Sequence, residues 1–389
     1  MLLALAVGGC SSSEPEPEDE SNLGDCSSAW VPVTGGNRSD SEPPTELLFS
    51  GGDLFFFRFE WGPDGSTSSD LVQFELRSPS RELATGVLVP DVYSAPMWVD
   101  DNELVFTQSG EVRSVPLAGG TLRVRSTFGS ANLGDTRWLG VTSGNFYFTR
   151  YGQFGVIWKV SLGGGPVSLF ANLGPTWGDQ IEPPLVQSSE GMLLGGRPQA
   201  DDGANRPAAV VISGDGAVRE LPQPDGDASQ SFLTRTGVIH IVGAPQTRAL
   251  AQSEGSSGDD GFEKAPSYPD LRMWMAPLGG GELTEFWPDR PETVLPQHVE
   301  SDGRDGWFVT ATEPFNDGYL HDTVWQVWPN DARRLACNPS PESAQIQTES
   351  RTGQAFASGD GSVYLVSLRG KSQFWELVQI SYVQSDGER

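Results

Sequence analysis

The segment GEVRSVPLAGG, at residues 110–120, decides the fold because variants of it recur along the chain. The variants read GVIWKVSLGGG at 155–165, MWMAPLGGG at 273–281 and, in a weaker form, VWQVWPND at 324–331. Each is a short apolar run that ends in a turn rich in glycine, proline or asparagine. This pattern predicts a β-strand followed by a tight hairpin. Its repetition indicates a fold assembled from copies of one small β-unit.

A second repeated element is a polar turn that precedes an apolar run of three or four residues. It occurs seven times, near Gly52, Asn102, Gly144, Glu190, Thr236, Arg304 and Asp360. The steps between these turns run from about 42 to 68 residues, and most lie near the length of a four-stranded propeller blade. We therefore predict an all-β protein, a β-propeller of about seven four-stranded blades, with six or eight blades as open alternatives.

The last repeat unit has three convincing strands, which would leave an open edge between the last blade and the first. Propellers avoid such edges. The segment Trp30-Val31-Pro32-Val33 is well placed to supply the missing strand. We therefore predict that an N-terminal strand closes the propeller.

The V-P-L-x-G-G repeats resemble those of bacterial propeller lipoproteins, which are similar to the TolB and YWTD types of propeller. The resemblance covers about 340 residues. It implies the fold and says almost nothing about function. Trp158, Trp274 and Trp325 fall at the same register of the repeat, and we interpret them as packing between blades.

The N-terminus carries a second resemblance. Small residues before a cysteine, in Val7-Gly8-Gly9-Cys10, resemble the lipobox at which bacterial lipoproteins are lipidated. The following Ser11 implies the outer membrane, facing either the periplasm or the cell surface. A signal peptide needs a basic region and a longer apolar run than residues 2–7 provide, so we expect the true translation start to lie upstream.

These features divide the chain into three parts: a truncated lipoprotein signal and lipobox at 1–10, an acidic tether at 11–26 and a propeller domain at 27–389. The tether has too few apolar residues to repay the entropy of ordering, so we expect it to be disordered. If Cys10 carries lipid, Cys26 and Cys337 remain. An exported, oxidising compartment favours their pairing in a disulfide.

The net charge of the chain restricts the classes of partner that we expect it to bind. The formal net charge is −27, and the chain has only three lysines, Lys159, Lys264 and Lys371. Such an acidic chain repels phosphate backbones and anionic lipids, so we expect no nucleic-acid binding. We expect a monomer that touches the membrane only through its lipid anchor.

The connections between second and third strands are the longest in the repeat, and binding residues on a rigid scaffold concentrate in such loops. In a propeller these connections share one face with the links between blades. Aromatic and charged residues near them are the predicted binding residues: Trp61, Arg150, Tyr151, Tyr268, Tyr319, His321 and Asp322.

We interpret the protein as a non-enzymatic envelope component whose propeller face binds a protein, a peptide or a glycan. Two alternatives stay open: a hydrolase or lyase of polysaccharides or peptides that uses His321, Asp322 and Tyr319 for acid–base chemistry, and a purely structural envelope component. The sequence predicts no cofactor and no metal site. His240 lies in an apolar strand and is predicted to be a core residue, and His298 has no recognisable partner.

Overall fold

The computed structural model describes residues 28–382 apart from 38–40, 43, 45–46, 62–66, 76–80, 85–96, 101, 109–110, 128–135, 143, 154, 178–180, 200–207, 225–227, 244–266, 303–305, 316–319, 340–344, 347–355, 360 and 370–373. The predicted lipobox, Cys10, the predicted tether and Cys26 therefore lie outside the described residues. In the part of the chain that is described, no helix is long and apolar enough to cross a membrane.

Within the described residues, thirty strands form seven sheets. Listed from the innermost to the outermost strand, blade one contains β2 (Ser41–Glu42) and β3 (Leu48–Ser50), then β4 (Asp53–Trp61), β5 (Thr67–Glu75) and β6 (Arg81–Ala84); blade two contains β7 (Met97–Asp100), β8 (Glu103–Gln108), β9 (Glu111–Pro116) and β10 (Arg123–Thr127); blade three contains β11 (Thr136–Thr142), β12 (Asn145–Arg150), β13 (Val156–Ser161) and β14 (Ser168–Asn172).

The remaining blades follow the same order. Blade four contains β15 (Ile181–Ser188), β16 (Gly191–Gly196), β17 (Ala208–Ile212) and β18 (Val218–Glu220); blade five contains β19 (Ala228–Thr234), β20 (Gly237–Val242), β21 (Arg272–Pro277) and β22 (Thr284–Glu285); blade six contains β23 (Leu295–Ser301), β24 (Trp307–Pro314), β25 (Leu320–Trp328) and β26 (Asp331–Cys337); blade seven contains β27 (Gln345–Ile346) and β28 (Phe356–Gly359), then β29 (Ser362–Arg369), β30 (Phe374–Ser381) and β1 (Val31–Asn37). A 3-10 turn, Pro175–Trp177, lies in the link between blades three and four.

The ring is closed by its N-terminal strand, which confirms the prediction of a seven-bladed propeller with this closure. β1 pairs antiparallel with β30, from Val31 opposite Gln379 to Asn37 opposite Phe374. It therefore supplies the outermost strand of the last blade, although it comes first in the chain. Just before β1, the buried ring of Trp30 packs among apolar side chains of blades six and seven.

The core is divided into seven apolar clusters, one between each pair of neighbouring blades in the described residues. Each second strand sends alternate side chains to the two sides of its blade. In β4, Leu54 and Phe56 pack against blade seven, whereas Phe55 and Phe57 pack against blade two. Because both faces of these strands are buried, their sequences read as continuous apolar runs rather than as alternating ones.

Two of the Leu-Gly-Gly turns, in blades three and five, accept a hydrogen bond from an arginine of the preceding blade. The guanidinium of Arg125, on the outer strand of blade two, donates to the carbonyl of Leu162 in the turn of blade three at 3.4 Å. It also forms ion pairs with Asp100 and Glu103 in its own blade, at 2.6 and 2.9 Å. Arg219 of blade four repeats this arrangement, since it pairs with Glu190 and donates to the carbonyl of Leu278 in blade five. These repeats therefore hold neighbouring blades together.

We expect the turn of blade three to require glycine at position 164. Gly164 has a φ of +93° and lies close to the backbone of the preceding blade. A Cβ atom there would lie 2.7 Å from the carbonyl oxygen of Arg125. We expect Gly164→Ala to lower the free energy of unfolding by about 1–3 kcal/mol. The matched control is Gly163→Ala, whose Cβ would meet only the Ser161 hydroxyl, at 3.7 Å. Urea denaturation checks this; equal stabilities of the two variants would contradict the close-packed turn.

Candidate functional site

The propeller has two ends with different connections. One end carries the connections between second and third strands and the links between blades. We call this end the loop face. The other end, with the turns between first and second strands and the glycine-rich turns between third and fourth strands, is the turn face. The antiparallel order of the blades places the described members of the predicted binding set, among them Arg150, Tyr151 and His321, at or near the loop face.

A patch of aromatic and polar side chains lies on the loop face of blade three. Tyr151, in the turn after β12, is 75% exposed. The guanidinium of Arg150 lies 5.2 Å from the ring centre of Trp158 and 5.8 Å from that of Phe148. The indole N–H of Trp158 donates to the side-chain carbonyl of Gln153 at 2.7 Å. We call Arg150, Tyr151, Gln153 and Trp158 the blade-three patch. In this patch the guanidinium of Arg150 is held in place by stacking on aromatic rings, and the ring of Tyr151 is open to solvent.

The structure corrects the placement of His321 and Asp322, which the sequence places in a loop. β24 and β25 pair as far as Pro314 opposite Leu320, so both residues are part of a ladder and are buried. The Nδ1 atom of His321 lies 2.7 Å from the carbonyl oxygen of Asn338, and its ring packs edge-on against Phe315 at 4.8 Å. The hydroxyl of Thr312 donates to the carboxylate of Asp322 at 3.3 Å. Further along the same two strands, Val309, Ala311 and Val327 pack in the apolar cluster shared with blade five.

A buried ionic network that the sequence did not reveal lies beside these residues. Glu313 stands opposite His321 in the ladder and is buried. Its carboxylate pairs with Arg334 at 3.2 Å and accepts the indole N–H of Trp325 at 3.3 Å. Burial raises the pKa of Glu313, and the charge of Arg334 opposes that rise. The guanidinium of Arg334 also lies over the rings of Phe315 and Trp325, at 5.0 and 5.6 Å. We call Glu313, Trp325 and Arg334 the blade-six network. Its members contact one another inside the blade, so we interpret the network as stabilising the fold.

The other predicted site residues are placed as follows. Tyr268 is buried in the cluster between blades five and six, and burial raises the pKa of its phenol. Its backbone N–H donates to the carbonyl of Glu292 at 2.7 Å, and its own carbonyl accepts a bond from Arg290 at 2.9 Å. The side chain of Trp61, and Tyr319, lie outside the described residues. Blade three and blade six are separated by two blades of the ring, so the structure does not bring the predicted residues into one site.

His298 has partners that its sequence context did not reveal. It lies on β23, the innermost strand of blade six, and its ring packs edge-on against Phe232 of blade five at 5.6 Å. Its Nε2 atom is 3.9 Å from the carboxylate of Glu300. Burial lowers the pKa of His298 to about 4. The signal available in the sequence was the His-x-Glu spacing, which places both residues on the same side of a strand.

His240 is buried in the core, as its apolar strand predicts. It lies on β20, and its Nδ1 atom is 2.8 Å from the hydroxyl of Ser231 on the neighbouring strand. Burial lowers the pKa of His240 to about 4, while a backbone contact with Pro222 opposes the shift. The imidazole is therefore neutral at pH 7.

This burial predicts a specific loss of stability in acid. A histidine whose pKa is about 4 when folded and about 6.5 when unfolded stabilises the fold fully above pH 6.5, and that stability is lost as the pH falls through 4. His240→Gln removes the titration. Between pH 7 and pH 4, we expect the free energy of unfolding to fall by about 3 kcal/mol more in the wild-type chain than in the variant. Urea denaturation at both values checks this; the same pH dependence in both proteins would contradict it.

Known proteins resemble this chain in fold. No protein-family model matches it, and no curated protein sequence matches it either. The β-propeller domain of the Trilobed protease from Pyrococcus furiosus, described as having an open velcro topology, is 10% identical; the match covers 90% of this chain and 96% of that one, with a TM-score of 0.53.

Two further solved structures are similar. YCF48 bound to D1 peptide is 9% identical over 92% of this chain and 98% of that chain, with a TM-score of 0.50. A puromycin-hydrolyzing peptidase from Mycobacterium tuberculosis is 12% identical over 89% of this chain, with a TM-score of 0.50, and this chain spans only 52% of that peptidase. Identities this low show the propeller fold alone.

Proposed function

We propose that the protein is an exported, lipid-anchored envelope component whose propeller binds a protein, a peptide or a glycan through the loop face. The observation that supports this most strongly is the blade-three patch, in which Tyr151 is 75% exposed beside the stacked guanidinium of Arg150. Tyrosine, tryptophan and arginine dominate the binding energy of protein interfaces, and aromatic rings lose little conformational entropy when a partner covers them.

The lipid anchor and the disulfide belong to the same proposal. Cys10 is the proposed lipidation site, and an acidic segment between it and the propeller would hold the rigid body away from the membrane. The proposed disulfide joins Cys26 to Cys337, which is buried at the end of β26. Trp30 belongs to the same buried apolar cluster as Ala336, the residue before Cys337. Cys26 precedes Trp30 by four residues, and four extended residues span up to about 14 Å, a length that would allow the link.

The placement of His321 and Asp322 does not favour the hydrolase or lyase alternative. His321 is buried and faces the carbonyl of Asn338 and the ring of Phe315. A general acid or base must reach the proton that it transfers, directly or through one water molecule. The exposed side chains of the blade-three patch are more accessible to a macromolecule than this buried pair.

The proposal predicts that a single exposed tyrosine contributes strongly to retention of an envelope component. The full chain, extracted in detergent and immobilised, is exposed to envelope proteins and to glycan and peptide arrays. Tyr151→Ala is expected to weaken binding of the retained component by at least about tenfold, as for an interface hot spot. Leu169→Ala is the matched control, since Leu169 is an exposed apolar residue on the outer strand of the same blade. Equal weakening by both changes, or by neither, would contradict the blade-three patch as the binding site.

A further inference from the structure

Blade three and blade six contain the same kind of stack between an arginine and two aromatic rings. In each blade a guanidinium lies over one phenylalanine ring and one tryptophan ring. The distances to the ring centres are 5.8 and 5.2 Å for Arg150 in blade three, and 5.0 and 5.6 Å for Arg334 in blade six. The two tryptophans, Trp158 and Trp325, lie on the third strands of their blades. Stacking of this kind holds a guanidinium in one orientation.

The two stacks differ in their acid. In blade six the carboxylate of Glu313 pairs with Arg334 at 3.2 Å and accepts the indole N–H of Trp325 at 3.3 Å. In blade three, within the part of the chain that the structure describes, the side chain of Arg150 forms no hydrogen bond and no ion pair. Blade three therefore has the cation and the rings of this arrangement without its carboxylate.

The donors of Arg150 can be reached from outside the protein. Arg150 and Trp158 are half-buried, whereas Tyr151 and Gln153 are exposed. Of the three guanidinium nitrogens of Arg150, only Nε is enclosed without a partner. The two terminal nitrogens are therefore left to solvent, and they are the ones that form paired bonds with a carboxylate.

The turn that carries the blade-three patch is ordered by its own hydrogen bonds. The backbone N–H of Gln153 donates to the carbonyl of Arg150 at 3.0 Å, and that of Val156 donates to the carbonyl of Gln153 at 3.2 Å. The side-chain carbonyl of Gln153 accepts the indole N–H of Trp158 at 2.7 Å, which leaves the amide nitrogen of Gln153 as a further donor. Little conformational entropy is therefore lost when a partner covers the patch.

We propose that the blade-three patch binds an aspartate or glutamate side chain of a polypeptide partner, whose carboxylate takes beside Arg150 the place that Glu313 takes beside Arg334. The planar fork of guanidinium donors matches the two oxygens of a carboxylate, and such charge-assisted bonds are about twice as strong as neutral ones. The partner's chain next to the acid covers the exposed ring of Tyr151. This inference rests on the proposed function, because it names the chemistry of the partner that the loop face binds.

The charge of the chain favours a single acid over a polyanion. A formal net charge of −27 repels a polymer with many negative charges, such as a polysaccharide of uronic acids. One carboxylate is repelled much less, since exposed charges more than about 8 Å away are largely screened at physiological ionic strength. The acid that fills the stack in blade six is itself a protein side chain, that of Glu313. A polypeptide with one acid at the point of contact therefore fits the patch better than an acidic glycan.

The test is selection from a display library of random dodecapeptides on the immobilised full chain. We expect the peptides whose binding is weakened by Tyr151→Ala to contain an aspartate or a glutamate. Replacing that acid by its amide should weaken binding to the wild-type chain at least about tenfold. Arg150→Gln should weaken binding of the acidic peptides to the same extent and should bind the acid and amide forms alike.

Lys159→Gln is the matched control. Lys159 is another stacked cation of blade three, with its ammonium nitrogen 5.3 Å from the ring centre of Phe170, and it is not part of the blade-three patch. This change should leave the affinities of both peptide forms unaltered. Replacement of the acid in the peptide is measured on the wild-type chain, so that result does not depend on the folding of any variant.

Peptides that require Tyr151 but bind equally well in their acid and amide forms would overturn the carboxylate site and leave the loop face as a binding surface. A preference for the acid form that survives Arg150→Gln would overturn the role of Arg150. Selection of no peptide that depends on Tyr151 would contradict peptide binding at the loop face, and this inference with it. Binding of a uronic-acid oligosaccharide through Arg150 in that last case would retain the loop face but overturn the polypeptide partner.

Discussion

A chain that begins at residue 38 is expected to lose the closed propeller, with a thermal unfolding midpoint at least about 5 °C below that of a chain that begins at residue 28. The shorter chain lacks all of β1, which pairs with β30 over Val31–Asn37, and it lacks Trp30. Trp30 is 4% exposed and packs among side chains of blades six and seven. Loss of a buried tryptophan ring alone costs about 3–5 kcal/mol.

The shorter chain should also aggregate, because one edge of β30 would lose its partner and become exposed. The chain that begins at residue 28 is the matched control, since it lacks the whole preceding segment and keeps the closing strand. Thermal unfolding followed by circular dichroism, together with light scattering, checks both effects. The same midpoint and the same solubility for both chains would contradict closure by β1.

Loss of the proposed disulfide is the second change with a large expected effect. A link between Cys26 and Cys337 closes a loop of roughly 310 residues. In the chain-entropy account a loop of this length stabilises the fold by up to about 5–6 kcal/mol, although measured gains often fall short. In a chain with Cys10→Ser, we expect no free thiol after denaturation without reductant and two after reduction. Reduction should lower the unfolding midpoint by several degrees.

The control for this measurement is the variant with Cys26→Ala and Cys337→Ala in the same chain. Reductant should leave its unfolding midpoint unchanged, and that midpoint should match the midpoint of the reduced parent. Two thiols that titrate in the denatured parent before any reductant is added would contradict the pairing.

The fold could be predicted from the sequence because the same strand-and-turn pattern recurs along the chain. A strand that is buried on both sides, such as β4 with Leu54 to Phe57, reads as a continuous apolar run wherever it recurs. The glycine-rich turns after the third strands of blades two, three and five are equally visible in the sequence. At Gly164 the structure shows the reason for the glycine, which combines positive φ with a close approach to the preceding blade. Closure by the segment 30–33 was predicted from the deficit of one strand in the last unit, and the structure shows the closing strand at Val31–Asn37.

The site was less predictable because it depends on where strands end and which strands become neighbours. His321 looked like a loop residue, yet β25 begins at Leu320 and buries it. Glu313 and Arg334 are far apart in sequence and meet only because β25 pairs with both β24 and β26. In the same way, the positive charge of Arg235 in blade five acts on the carboxyl group of Glu300 in the neighbouring blade six. Two members of the blade-three patch, Arg150 and Tyr151, were named from the sequence because they are adjacent in one of the long connections. Gln153 was not named, and Trp158 was interpreted as packing between blades.

Binding at the loop face is tested most directly by placing a photo-crosslinking amino acid at position 151, and separately at position 169, in cells that make the protein. Both positions are exposed on blade three, but only position 151 belongs to the blade-three patch. The proposed function predicts a discrete cross-linked adduct with an envelope component from position 151 and none from position 169. Absence of an adduct from position 151, or the same adduct from both positions, would contradict it.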